Sequence, residues 1–284
     1  MNGADSSKLD SPTRAVTARP SDTPTEADRE RTLAKSKLSA AFVRLLRPFD
    51  FRRVDECKRV IDWLDPRAGD RVLDIGCGDG FYDRRMASRG ARVDAIDANP
   101  RRVARARRWN PHPHIKYHHM PAHDLTFDDQ SFDKVVSICV LEHIPDDARA
   151  LREMYRVLRP GGRLVLSCDS LSNVGISDRL RRRHAKRYAV EHFYTANSLS
   201  GLLRSTGFEP LRAEFVLTTP VSLAITRVTY VADDVGRFPG GWILKYPVLA
   251  VAGTLGLMVS RISERLQPRG DAGLTLIMEA MRRG

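Results

Sequence analysis

No apolar run reaches the roughly 20 residues that a helix needs to cross a bilayer, so a lone membrane-spanning helix is excluded. Cysteine is scarce. The four residues, Cys57, Cys77, Cys139 and Cys168, show neither close pairing nor metal-ligand spacing. That excludes a disulfide-built scaffold and suits a reducing, cytoplasmic compartment. The N-terminus lacks a basic start followed by an apolar run, so no secretory leader is expected. Large apolar side chains are nearly missing from residues 1–32, which cannot bury enough surface to order themselves and read as a disordered tail. Six acids between Asp5 and Glu30 count against a transit peptide.

What is present supports one sizeable domain with additions: 284 residues, 42% hydrophobic. The net charge of +12 makes phosphate, nucleic acid or an acidic membrane surface plausible partners, and a merely solvated basic surface the plain alternative. Residues 33–64 read as two helices separated at Pro48. Leu38, Phe42, Leu45 and Leu46 line one, and Val54, Val60, Ile61 and Leu64 the other. Strands and helices then alternate. Strands are expected at Arg71–Ile75, Ala91–Ile96, Ile115–His118, Phe132–Cys139, Arg163–Cys168 and Leu211–Leu217. Helices are expected at 81–89, 100–109, 146–159 and 195–206, the last starting from Thr195 as N-cap. Such alternation predicts a parallel sheet covered on both faces, with ligands at the carboxyl ends of its strands.

The stretch VLDIGCGDG, 72–80, runs a buried strand into three glycines at every second residue, with Asp74 inside the strand. A phosphate-binding loop would need a Lys that is missing, and a dinucleotide fingerprint would need glycine where Phe81 stands. Glycines let a ligand lie against the backbone, while Asp74 repels a pyrophosphate and favours a positive charge. S-adenosylmethionine carries an ammonium and a sulfonium and no phosphate. A second acid, Asp97, ends its strand 23 residues after Asp74, where a carboxylate can accept from both ribose hydroxyls.

Together VLDIGCGDG, DAIDANP, SFDKVVSICVLEHIPD and LREMYRVLRPGGRLVLS resemble the successive motifs of class I S-adenosylmethionine-dependent methyltransferases. VLEHIPD and EHFYTANSLSGLLRSTGFEP look most like the small-molecule and lipid-quinone O-methyltransferase branch. The resemblance covers residues 50–217 and 273–281. It implies a doubly wound, mostly parallel, Rossmann-like sheet of seven strands whose last strand, at Gly273–Met281, is antiparallel. The methyltransferase domain is thus expected at 33–217 plus 270–284, with an apolar helical insertion at 218–269. By the same resemblance Gly76, Cys77 and Gly78 form the cofactor loop and Asp74 lies beneath the methionine moiety. Asp97 binds the ribose, Ala98 lies against adenine and Ile138 touches the methionine part. Relatives carry an Asp where this chain has Pro121, so adenine recognition shifts to the Ala122 backbone and to His123.

Methyl transfer to a hydroxyl needs in-line alignment and removal of a proton. His143, after the fourth strand, is the candidate base, the other reading being a histidine that orders its loop. Some quinone O-methyltransferases hold a divalent metal through Glu-x-x-Glu-His. Here the set is Cys139, Glu142 and His143, and the thiol does not suit a hard cation, so no metal is expected. Five of the eight histidines fall between His112 and His123, and they read as loop and edge-strand residues rather than a metal cluster.

The stretch RLRRRHAKR, 179–187, has six basic residues and no aromatic, so nucleic acid is not the expected partner. VSLAITRVTYV (221–231) and YPVLAVAGTLGLMVS (246–260) are apolar. A single crossing there would strand the last strand across the membrane from its own sheet. An interfacial hairpin on an anionic membrane surface, a substrate lid and a dimer contact all remain open. The leading expectation is O-methylation of a hydrophobic or lipid-linked small molecule. The alternatives are a soluble sugar or natural product as acceptor, or a non-catalytic cofactor-binding membrane adaptor.

Overall fold

The computed structural model describes residues 51–172, 176–235 and 270–284, with scattered helical positions between 248 and 266. The chain divides into two units, 1–47 and 48–284. The first unit, with the expected tail and first helix, lies outside the described residues.

Helix α1 (Phe51–Leu64) buries Cys57, Val60, Ile61 and Leu64. Strands β1 (Arg71–Ile75), β2 (Arg92–Asp97), β3 (Ile115–His119), β4 (Phe132–Ile138), β5 (Leu158–Asp169), β6 (Phe208–Val216) and β7 (Thr275–Arg282) form one sheet in the order β3-β2-β1-β4-β5-β7-β6. The pairs from β3 through to β5 are parallel, and β7 runs antiparallel between β5 and β6. This is the doubly wound, seven-stranded arrangement expected. Strand β1 reads as a nearly continuous apolar run because helices cover both its faces: Val72 faces one core cluster, Leu73 and Ile75 the other.

Local chemistry sets the helix ends. In α3 (Pro100–Trp109) the Asn99 side chain accepts from the Arg101 amide and Pro100 takes the first turn. In α4 (Asp147–Val157) Asp146 caps the Arg149 amide, and Ala150, Leu151, Met154 and Val157 are buried. Thr195 and Ser198 form a capping box at α6 (Ala196–Ser205).

Three boundaries differ from expectation. Helix α2 (Asp83–Ala87) is short because residues 81 and 82 complete the turn out of the glycine loop. Leu158 leaves α4 and opens β5 by pairing with Phe132. Strand β6 starts at Phe208 rather than Leu211, since buried Phe208 pairs with Arg282 and Pro210 is absorbed where the register shifts before Arg212.

The basic stretch forms α5 (Asp178–Tyr188), and the first apolar segment forms α7 (Pro220–Val235). Asp234 on α7 is paired by Arg183 and Arg187 of α5. Most of the second apolar segment lies outside the described residues, and no helix among the described residues is long and apolar enough to cross a membrane.

Candidate active site

Parallel pairing aligns the carboxyl ends of β1 to β5 along one edge. Asp97 stands beside His119, Ile75 beside Ile96 and Ser137, and Ile138 beside Ser167. Every residue expected at the cofactor site falls on this edge or in the loops leaving it.

The loop after β1 is bound tightly to β2. The Gly76 and Cys77 amides both donate to the Ile96 carbonyl at 2.8 Å. The Gly78 amide donates to Asp97 Oδ2 at 3.0 Å, and the Asn99 amide to Asp97 Oδ1 at 2.8 Å. Asp97 is thus oriented by two backbone donors while spare lone pairs remain on its carboxylate. Gly76 has φ +75°, and a methyl group there would meet Val140 Cγ2 at 2.3 Å. Gly78 has φ +59°, and a side-chain carbon there would meet nothing within 4 Å among the described residues. The first glycine is required by close packing, the second by backbone conformation beside open space, where a ligand can lie on the loop.

Asp74 is buried beneath this loop, and burial, opposed by a hydrogen bond to Asp83 and reinforced by Asp97, pushes its carboxyl up to about 6. Ala98 is exposed after β2, its carbonyl 3.1 Å from His119 Nε2. Ala122 is half-buried against the core, His123 is exposed after β3, and Ile138 is half-buried at the end of β4.

The other half of the edge belongs to β4 and β5. His143 ends a 3-10 turn, Leu141–His143, and its Nδ1 lies 3.0 Å from the Ala189 carbonyl. Donation from Nδ1 to that carbonyl fixes the tautomer and leaves Nε2 with its lone pair. Sequence reasoning left unassigned the buried polar cluster next to it. His184 Nε2 lies 2.7 Å from Asp169 Oδ2, and both groups are buried. The Asp169 amide donates to Glu142 Oε1 at 3.0 Å, whereas the buried Oε2 has no hydrogen-bond partner among the described residues. Burial, with Asp169 adding to it, pushes Glu142 up to about 8, so this acid is protonated at neutral pH. The Cys139 thiol donates to Glu56 Oε1 at 2.8 Å, and burial pushes its pKa well up. No local motif links Glu56, Asp169 and His184 to Glu142.

Among the described residues Cys139, Glu142 and Asp169 have donor atoms within 4.8 Å of one another. His143 is turned to Ala189 and is not one of the three. The thiol in this set does not suit a hard cation such as Mg²⁺.

A glycine loop tied to a strand-end acid, with open space above it, lies within residues 73–166, the stretch that matches the methyltransferase domain family. Residues 73–166 are a class I S-adenosylmethionine-dependent methyltransferase domain. The ubiquinone biosynthesis O-methyltransferase of Pseudomonas aeruginosa (strain UCBPP-PA14) is 38% identical over 113 residues, covering 38% of this chain and 49% of that protein. The enzyme of the same name from Pseudomonas savastanoi is 35% identical over 113 residues, with the same coverage. The chain thus spans about half the length of the curated relatives it matches. Phosphoethanolamine N-methyltransferase 2 of Haemonchus contortus, solved with S-adenosyl-L-methionine, superposes with a TM-score of 0.59 at 20% identity, covering 81% of this chain and 53% of that one. The [4+2]-cyclase SpnF superposes at 0.58 with 23% identity, covering 80% and 79%. At such identities the methyltransferase domain shares a fold with these structures, and function has to be argued from the site.

Proposed function

We propose that the protein is an S-adenosylmethionine-dependent methyltransferase that O-methylates a hydrophobic or lipid-linked small molecule. The observation that carries the reading is the Gly78–Asp97 bond beneath open space at the carboxyl edge of the sheet. Asp74, Gly76, Cys77 and Gly78 would hold the methionine part, Asp97 the ribose, Ala98, Ala122 and His123 the adenine, and Ile138 would pack beside the methionine part. When bound, S-adenosylmethionine supplies a methyl group already activated on a sulfonium. The chain's own task is then to align a hydroxyl and take its proton. His143 serves as that base: with Nδ1 held by the Ala189 carbonyl, Nε2 is the proton acceptor. The similarity to ubiquinone biosynthesis O-methyltransferases supports a hydroxyl acceptor on a hydrophobic molecule.

The exposed apolar side chains support a surface that meets lipid. Leu255, Met258, Val259, Ile262 and Leu266 recur at helical spacing, each 44–79% exposed, and Val228 and Val231 of α7 are exposed too. With basic α5 ion-paired to α7, an interfacial attachment to an anionic membrane surface fits this pattern.

The test is direct. Calorimetry should show binding of S-adenosylmethionine by the purified protein. Labelled methyl should pass to 4-octylcatechol more readily than to 4-methylcatechol. Absence of binding overturns the whole reading; transfer with the reverse preference overturns the hydrophobic acceptor.

A further inference from the structure

Helix α5 carries a buried histidine that the proposed chemistry does not use. His184 Nε2 lies 2.7 Å from Asp169 Oδ2, and both side chains are buried. Asp169 ends β5, on the same sheet edge as the turn that carries His143. The rings of Tyr188 and Phe193 pack around His184, their centroids 4.7 and 6.2 Å from its own.

The helix stops at Ala189, whose left-handed backbone (φ 53°, ψ 48°) turns the chain out of α5. The Ala189 carbonyl is the group that His143 Nδ1 meets at 3.0 Å. The Glu191 and His192 amides then donate to the Glu142 carbonyl at 2.8 and 3.2 Å. Tyr194 closes the segment. Its amide donates to the Asp169 carbonyl at 3.3 Å and its hydroxyl to Asp147 Oδ2 at 2.7 Å. Residues 189–194 are thus a strap over the turn that carries His143. Arg181 ties the first half of α5 to the Leu171 carbonyl at 2.9 Å, and His184 ties the half next to the strap to the end of β5.

A buried hydrogen bond fixes distance and direction, which apolar packing alone does not. The tautomer of a histidine follows the bond made by its other nitrogen. Whatever sets the Ala189 carbonyl therefore sets which nitrogen of His143 holds the proton.

We infer that His184 is a positioning residue: its bond to Asp169 fastens α5 to the end of β5, so that the Ala189 carbonyl meets His143 Nδ1 and the lone pair stays on Nε2. The inference rests on the proposed function, because only there is His143 the base. His184 exchanges no proton with the acceptor.

The experiment uses the full chain with His184→Ala and His184→Gln. Gln places an amide N–H where Nε2 stands and can bond to Asp169; Ala cannot. The first readout is a nitrogen–proton NMR correlation of the His143 ring, assigned against His143→Ala, at a pH where the imidazole is neutral. The others are calorimetric affinity for S-adenosylmethionine and turnover of 4-octylcatechol. In wild type the proton should sit on Nδ1. In His184→Ala it should spread over both nitrogens. Turnover should fall roughly tenfold there, as expected when a reacting group is misplaced, with cofactor affinity within about twofold of wild type. His184→Gln should restore the Nδ1 tautomer and most of the turnover. A wild-type proton on Nε2 overturns the positioning role, even if His184→Ala fails to fold. An unchanged tautomer in His184→Ala overturns it too, and so does an equal loss in both variants. A wild type that binds no S-adenosylmethionine, or transfers no methyl, overturns the proposed function instead, and the tautomers alone then decide the role of His184.

Discussion

The Gly78 amide and the Asp97 carboxylate meet at 3.0 Å, so the acid proposed to bind the ribose also anchors the glycine loop. Loss of Asp97 should therefore act twice. Asp97→Ala is expected to weaken S-adenosylmethionine binding by about 1–3 kcal/mol. Asp97→Asn, which keeps an acceptor for Gly78, should weaken it less. Calorimetry giving one affinity for all three proteins would remove Asp97 from the site.

Gly76 tests the packing of the same loop. A methyl group there lies 2.3 Å from Val140 Cγ2 at a φ of +75°. Gly76→Ala should lower stability by roughly 1–3 kcal/mol from backbone strain, with the clash adding to it. Adding Val140→Ala should restore only the clash part. Denaturant unfolding of the two variants checks this, and full recovery would mean that the backbone stores no strain.

His143→Ala should lower the turnover of an alkyl catechol about a hundredfold while S-adenosylmethionine affinity stays near normal. Unchanged turnover assigns His143 to ordering the loop through the Ala189 carbonyl.

Glu142 carries a pH prediction. Its folded pKa of about 8 lies above the unfolded value, so the stability it provides in acid is lost as pH rises through that interval. Glu142→Gln removes the titration. It should exceed wild type in stability by on the order of 1–3 kcal/mol at pH 8 and by less at pH 5. Melts at the two pH values that show an unchanged gap would mean that Glu142 is ionised in the folded protein.

The membrane surface is tested with liposomes. The protein should co-sediment with anionic vesicles more than with neutral ones, and salt should release part of it. Changing Leu255 and Ile262, which are 56% and 51% exposed, to Asp should abolish binding and leave cofactor affinity intact. Wild type remaining in the supernatant with every vesicle assigns the stripe to a lid or a contact between copies.

Much of this protein follows from sequence alone. The order of strands and helices, the glycine loop and the acid at the end of β2 stand where local pattern puts them, and the antiparallel last strand where the family resemblance puts it. Periodicity, caps and turn residues act over a few positions, so their signals survive without the fold. Asp74, Gly78 and Asp97 were legible for that reason. Only the tertiary structure turns His143 to Ala189 and joins Glu142 to Asp169 and Asp169 to His184. Those pairs come from separate elements. What matters in them is how far two acids are shut away from water, and that is fixed by strand register and helix packing rather than by any neighbour in the chain.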